Sequence, residues 1–299
     1  MTKENLAAPA AVLTRPDMSS PADTSSRADT SSRAGGPSRI DASLLDVHVR
    51  GSGPALLLAH GAGGGIEPNF GQVLDDLARD HTVVGPHYPG AGASPVAREP
   101  LDLDALVDAV VESAVSRGHE RFVLLGESLG TVVSLRAAAR YPQRVTGLVL
   151  TAGFAVADPV LSVAAELVTT LAHAGEWDTL ARFATYAGLT DRELNELPGE
   201  ALEAAVAATR EGMPAGMADH FDLVRRIDVR ADLASIRVPA LVLMPTGDRL
   251  VLPDSSRRLA EALPDATLVE IPGGAHILGE RDRTLWLGHV REFLTGLPG

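Results

Sequence analysis

The segment Gly126-Glu127-Ser128-Leu129-Gly130 sits between an apolar run, Arg121–Leu125, and a helical pattern, Leu129–Tyr141, that Pro142 stops. A serine with glycines two residues to either side, at a strand-to-helix junction, is the nucleophile-elbow pattern. The chain must reverse in one sharp turn there, and glycines leave room for close neighbours. The serine hydroxyl is then lifted to a helix N-terminus, where free backbone N–H groups favour negative charge. That chemistry is nucleophilic attack on a carbonyl, and it needs a base and a group to orient the base. Two loops can supply them, Thr246-Gly247-Asp248-Arg249 and Gly273-Gly274-Ala275-His276, each after an apolar strand. The assignment is Ser128 as nucleophile, His276 as base and Asp248 as the residue that fixes the imidazole tautomer.

Blander roles exist for each. Ser128 could be a helix N-cap, Asp248 a turn cap and His276 a surface-loop residue. The nearest substitute acids, Asp254 and Asp158, stand on less suitable elements, and the other histidines lack an equivalent place after the last strand. Glu127 reads as a packing or local hydrogen-bonding residue, with tuning of a nearby histidine as the alternative. The glycines of His60-Gly61-Ala62-Gly63-Gly64 suggest phosphate binding, but the Lys-Ser/Thr of a P-loop is missing. Ile66 also stands where a dinucleotide fingerprint has its third glycine. His276 and Glu280 have helical spacing, yet no second histidine completes a zinc motif. We expect no cofactor and no metal.

These residues require elements that hold them. Leu44–Val49 alternates and is followed by a Gly51-Ser52-Gly53-Pro54 turn, resembling a hairpin into the fully apolar Ala55–Ala59. Helical periodicity is read over Asn69–Asp80, with Pro68 at its first position. Further strands are expected at Thr82–Val84, Arg121–Leu125, Val145–Leu150, Ala240–Met244 and Thr267–Ile271. Helices are expected at Asp104–Arg117, Leu129–Tyr141, Asp254–Leu263 and Thr284–Leu294. Apolar strands alternating with helices imply an α/β fold with a mostly parallel sheet covered on both faces. Ligands bind at the C-terminal strand ends of such sheets. Residues 155–235 interrupt the alternation with about four short helices, broken near Gly175, Gly188, Pro198-Gly199 and Gly212–Pro214. A helical insert between sheet strands reads as a lid. The expected organisation is a core over 40–154 and 236–299, with the lid at 155–235.

Residues 1–39 differ, with Ala-Asp-Thr-Ser-Ser-Arg repeated at 22–27 and 28–33 and few large apolar groups. They read as a disordered tail. Over the whole chain the hydrophobic fraction of 45% permits a full core. Aromatics at 4% mean that the core is built mostly from Ala, Leu and Val. A net charge of −13 argues against nucleic acid or an anionic membrane as partner. The absence of cysteine excludes disulfides and thiol catalysis. The uncharged, mostly apolar stretch Val145–Ala157 is too short to span a bilayer, and no apolar leader is expected at the start. The expectation is a soluble, cytoplasmic protein acting on a small molecule; oligomeric state is not legible.

With these motifs in order, residues 41–299 resemble the α/β-hydrolase superfamily along their whole length, lid included. The resemblance implies an oxyanion hole from the backbone N–H groups of Leu129 and Ala62, the latter in the glycine-rich loop after the third strand. His60 and Gly61 would support that loop. One departure stands out. Many members carry a charged Asp-x-Arg before Gly-x-Gly-x-Ser after the fourth strand, whereas here the segment reads Pro86-His87-Tyr88-Pro89-Gly90-Ala91-Gly92-Ala93-Ser94. A serine in the elbow argues against dehalogenase and epoxide hydrolase chemistry, which use aspartate. Phe154, Trp177, Phe183, Tyr186, Met213, Met217 and Phe221 are the bulky lid groups, some facing the pocket. The function implied is cleavage of an ester, thioester or lactone of a small, largely apolar molecule through an acyl-enzyme on Ser128. The alternatives are a non-hydrolytic triad enzyme (acyl transfer, lyase or a tailoring reaction) and a non-catalytic binding protein.

Overall fold

The computed structural model describes residues 39–297. The expected tail at 1–39 therefore lies outside the described residues, except for Arg39. Seven strands form one sheet: β1 (Val47–Gly51), β2 (Ala55–Ala59), β3 (Thr82–Pro86), β4 (Phe122–Glu127), β5 (Val145–Thr151), β6 (Ala240–Pro245) and β7 (Ala266–Ile271). Their spatial order is β1-β3-β2-β4-β5-β6-β7, and only β1 runs antiparallel to its neighbour.

The expected hairpin between the first two strands does not form. β1 pairs with β3, placing Val47 opposite Pro86 and Gly51 opposite Thr82. Burial explains the exchange. Every residue of β2 is buried and needs a strand on each side, while β1 is exposed along half its length and suits an edge. The glycine-rich loop accordingly follows β2, and the Pro86–Ser94 loop follows β3, each one strand earlier than expected.

Helices α1 (Ile66–Leu77), α2 (Leu103–Val115) and α3 (Leu129–Arg140) alternate with the first strands. α1 begins three residues earlier than expected, because Ile66 is itself a fully buried member of its apolar face. Pro68 therefore lies inside the first turn, where its missing N–H has no partner to lose. After β5 comes a helical insertion of α4 (Pro159–Ala174), α5 (Trp177–Gly188), α6 (Asp191–Glu196), α7 (Gly199–Gly212) and α8 (Met217–Arg226). The anticipated breaks separate five helices where about four were expected. Gly175 ends α4 in the left-handed conformation, and Thr190 with Glu193 forms a capping box for α6. α9 (Arg230–Leu233), α10 (Pro253–Ala262) and α11 (Glu280–Gly296) complete the chain.

Alternation along the strands divides the core between the two faces of the sheet. Leu57, Leu124, Leu148 and Val242 pack with α2 and α3 residues such as Leu106 and Val132. Leu56, Leu58, Val123 and Leu243 pack with Phe70 of α1 and Trp286 of α11. Trp286 is fully buried and donates from Nε1 to Thr151 Oγ1 at 2.8 Å, so it fixes α11 beneath β5. Truncating it to alanine should cost about 3–5 kcal/mol. Among the described residues no helix is long and apolar enough to cross a membrane.

Candidate active site

Ser128 follows β4 and opens α3 with φ 52° and ψ −117°. A left-handed φ is uncommon for a residue with a Cβ, and it is sustained only when the surroundings over-determine it. Here Ser128 N–H donates to Thr151 O at 3.0 Å, and Thr131 donates to Ser128 O from N at 2.9 Å and Oγ1 at 2.7 Å. The Ser128 side chain makes no capping bond to α3, which removes support for a mere N-cap role. The flanking glycines are needed for space. A Cβ on Gly130 would lie 1.8 Å from Ala59 O, and one on Gly126 would lie 2.4 Å from Gly130 O.

Asp248 and His276 follow β6 and β7 at the same edge of the sheet. His276 Nδ1 lies 2.7 Å from Asp248 Oδ2, and the carboxylate is buried. Asp248 Oδ1 accepts from the N–H groups of Leu250 at 2.8 Å and Val251 at 2.9 Å, so both its oxygens are oriented. The two loops are joined by Gly247 N–H to Gly274 O at 2.8 Å and Gly273 N–H to Thr246 Oγ1 at 2.7 Å. With Nδ1 donating to the carboxylate, His276 keeps Nε2 as a free base. Burial opposes a charge on this ring, but Asp248's charge and hydrogen bond, with Glu127's charge, outweigh it and lift the His276 pKa above 6.5.

Glu127 does more than pack. It forms a bidentate buried ion pair with Arg283 of α11, which donates from Nη1 to Oε1 and from Nη2 to Oε2 (3.0 Å). Asn69 Nδ2 of α1 also donates to Oε2, at 3.0 Å. The residue beside Ser128 thus ties β4 to the helix after the glycine-rich loop and to the helix after His276. Neither partner is legible in the sequence. Arg283 is 156 residues from Glu127, and only its later burial distinguishes it from the other arginines.

The glycine-rich loop folds as a turn, with Gly64 N–H donating to Gly61 O at 3.3 Å. A Cβ on Gly61 would lie 3.4 Å from Ser128 Cβ, so this loop borders the elbow. His60 is fully buried, donates from Nδ1 to Gly61 O at 2.8 Å and accepts at Nε2 from Tyr88 N–H at 2.9 Å. Burial first, and the neighbouring His220 next, hold its pKa well below 6.5, so the ring is neutral. Met217 and Phe221 of α8 are buried and crowd Gly63, whereas Tyr186 is exposed with Arg249 stacked 4.3 Å over its ring. His220, between the two buried residues, was not among the expected site residues; its contacts with this loop cross 157 positions of sequence.

The loop that lacks the charged Asp-x-Arg has a different pairing. His87 Nε2 lies 3.1 Å from Glu67 Oε2, and His48 Nδ1 lies 3.2 Å from Glu67 Oε1. Ser94 Oγ donates to His87 O at 2.8 Å and accepts from Asp46 N–H at 2.9 Å, fastening the loop to β1. No group of His, Asp and Glu among the described residues is arranged to hold a metal ion. A groove of 680 Å³ between α6 and the acid-bearing loop is lined by Thr190, Glu193, Thr246, Asp248 and Arg249, but not by Ser128 or His276.

Comparison with known proteins agrees with this architecture. A family model described as alpha/beta hydrolase fold matches residues 54–281. Pimeloyl-[acyl-carrier protein] methyl ester esterase of Chromobacterium violaceum is 30% identical over 266 residues, covering 85% of this chain and 96% of that protein. Pyrrolizixenacetamide deacetylase of Xenorhabdus hominickii is 28% identical over 254 residues, covering 82% and 92%. The crystal structure of MGS-M2, an alpha/beta hydrolase enzyme from a Medee basin deep-sea metagenome library, superposes with a TM-score of 0.78. It shares 18% identity over 85% of this chain and 95% of that one. The chain belongs to the α/β-hydrolase family, among homologues that are esterase-like enzymes.

Proposed function

We propose that the protein is a serine hydrolase that cleaves an ester-like bond (ester, thioester or lactone) of a small, largely apolar molecule through an acyl-enzyme on Ser128. The observation that carries this is the 2.7 Å His276–Asp248 pair at the same sheet edge as a strained serine whose hydroxyl does not cap its helix. The names of two relatives, a methyl ester esterase and a deacetylase, support hydrolysis over the non-hydrolytic alternatives.

In this mechanism Ser128 Oγ attacks the carbonyl carbon while His276 Nε2 takes its proton. Asp248 holds the tautomer and stabilises the imidazolium. The oxyanion is held by the N–H groups of Leu129, the first residue of α3, and Ala62 in the turn beside the elbow; losing one such donor costs about 2.7–4 kcal/mol. Collapse expels the leaving oxygen or sulfur, which receives the proton from His276. Water then attacks the acyl-enzyme with His276 again as base, releasing the acid and restoring Ser128. The insertion acts as the lid over this site. Its apolar Met217 and Phe221 beside Gly63 favour an apolar acyl group. The test is turnover of a panel of short- to medium-chain p-nitrophenyl esters, thioesters and lactones. Wild-type turnover that disappears in Ser128→Ala is expected. Equal turnover in that variant, or none in folded wild type across the panel, would refute the reading.

A further inference from the structure

His220 of α8 is fully buried and bridges the glycine-rich turn that borders the elbow and the Pro86–Ser94 loop. Gly63 N–H donates to its Nδ1 at 3.2 Å, and its Nε2 faces Pro89 O at 2.9 Å. The partner types settle the tautomer: an N–H requires an acceptor at Nδ1, and a carbonyl requires the proton on Nε2. Burial depresses the ring's pKa to about 4, against the pull of the Pro89 carbonyl, so it stays neutral over the working range. The surroundings leave little freedom. Gly63 has φ 67°, and a Cβ there would lie 2.7 Å from Met217 Cε and 3.1 Å from Phe221 Cε2. Nearby, Gly216 N–H donates to Gly90 O at 3.1 Å, and a Cβ on Gly90 would lie 2.5 Å from the Gly216 backbone.

We infer that His220 is a positioning residue: through its bond to Gly63 N–H, the insertion sets the conformation of the oxyanion turn, so the hole is complete only while α8 is docked. Ala62 lies between His60 and Gly63. His60 anchors the turn through Gly61 O, and His220 anchors it through Gly63 N–H, with the two ring centroids 5.9 Å apart. A shift of a fraction of an ångström in Gly63 is passed to Ala62, and oxyanion donors are sensitive to such displacement. The inference rests on the proposed serine-hydrolase reading, and its test separates the two.

Asparagine and glutamine divide the two bonds of His220. His220→Asn places an amide near Nδ1 and retains an acceptor for Gly63; His220→Gln reaches the Nε2 position and retains the donor for Pro89. Both should lower thermal stability similarly. We expect kcat to fall at least about tenfold in His220→Gln, short of the about 100-fold cost of losing a donor outright. KM should change less than about twofold, since the bond acts on the transition state rather than on substrate binding. Affinity for a trifluoromethyl ketone, whose hemiketal on Ser128 places an oxyanion in the hole, should fall in parallel. His220→Asn should restore both. Equal kcat and ketone affinity in both variants, or an effect confined to KM, would overturn the inference. Hydrogen exchange on the wild type gives a result independent of variant folding. Ketone binding should raise protection of residues 61–65 and 216–221 together, and a rise at 61–65 alone would contradict it. If the wild type neither turns over esters nor binds the ketone, the serine-hydrolase reading fails first.

Discussion

Ser128, Asp248 and His276 stand on the ends of β4, β6 and β7 and are held by the sheet, whereas the glycine-rich turn at 61–65 leans on a helix from the insertion. On the first side the restraints are covalent neighbours and core packing: a strained φ locked by Thr151 and Thr131, two glycines packed against backbone, and a buried carboxylate with both oxygens engaged. On the other side the restraints are two histidines contributed by different regions, one bonded to Gly61 O and one to Gly63 N–H. On the proposed reading, a site built in this way keeps its nucleophile ready while its charge-stabilising half depends on how the insertion is docked. The sheet-borne half should therefore fail outright when altered, and the insertion-borne half by degrees.

The largest effect is expected on the sheet-borne side. His276→Ala should lower kcat by about 10⁴–10⁶-fold while the fold melts cooperatively, read by turnover and circular dichroism together. A wild-type rate in that variant would remove the base from this edge of the sheet. Glu127→Gln next sharpens the contrast through stability. It leaves the Arg283 guanidinium buried without its charge partner and should cost about 3–5 kcal/mol in chemical denaturation. An exposed carboxylate of the insertion, Asp191 paired with Arg249, should behave differently. Asp191 is 81% exposed, and Asp191→Asn, which leaves Arg249 bonded to the Tyr186 and Leu189 carbonyls, should cost less than about 1 kcal/mol.

The pH dependence follows from the direction of one shift. His276 must be neutral to act as base, and its pKa is lifted above 6.5, so activity should rise with pH through a limb above that value. Asp248→Asn removes both principal lifting influences and should move the residual limb downward, measured as kcat/KM against pH. The sign for stability is opposite to that of a carboxylate whose pKa is depressed by folding. A folded-state pKa raised above the unfolded one adds stability below the unfolded value, and that contribution is lost as pH rises through the folded value. The stability gap between wild type and His276→Ala should accordingly narrow toward alkaline pH. A gap that widens would contradict the pairing with Asp248.

What could be read from the chain was whatever depends on local order. The elbow, the two glycine-containing loops and the breaks in the insertion are short contiguous patterns, and each has a steric or hydrogen-bonding reason to appear where it does. The start of α1 was misplaced because Ile66 belongs by burial to a helix that its glycine neighbours disguise. The partner of β1 was misplaced because a tight turn after it looks the same whether the next strand lies beside it or one place further. Arg283, Asn69 and His220 escaped altogether. A buried arginine or histidine has no local signature, and each meets its partner across 58 to 157 residues of chain. These groups tie together elements distant in sequence around the site, and only the tertiary arrangement reveals them.

The proposed chemistry requires Ser128 to be the activated nucleophile of this edge. Treating folded protein with a fluorophosphonate and mapping the adduct by peptide mass spectrometry tests that directly. One phosphonyl group on the peptide bearing Ser128, absent in Ser128→Ala and strongly slowed in His276→Ala, is the predicted result. An unmodified Ser128 in folded wild type, or an adduct on another serine, would contradict it.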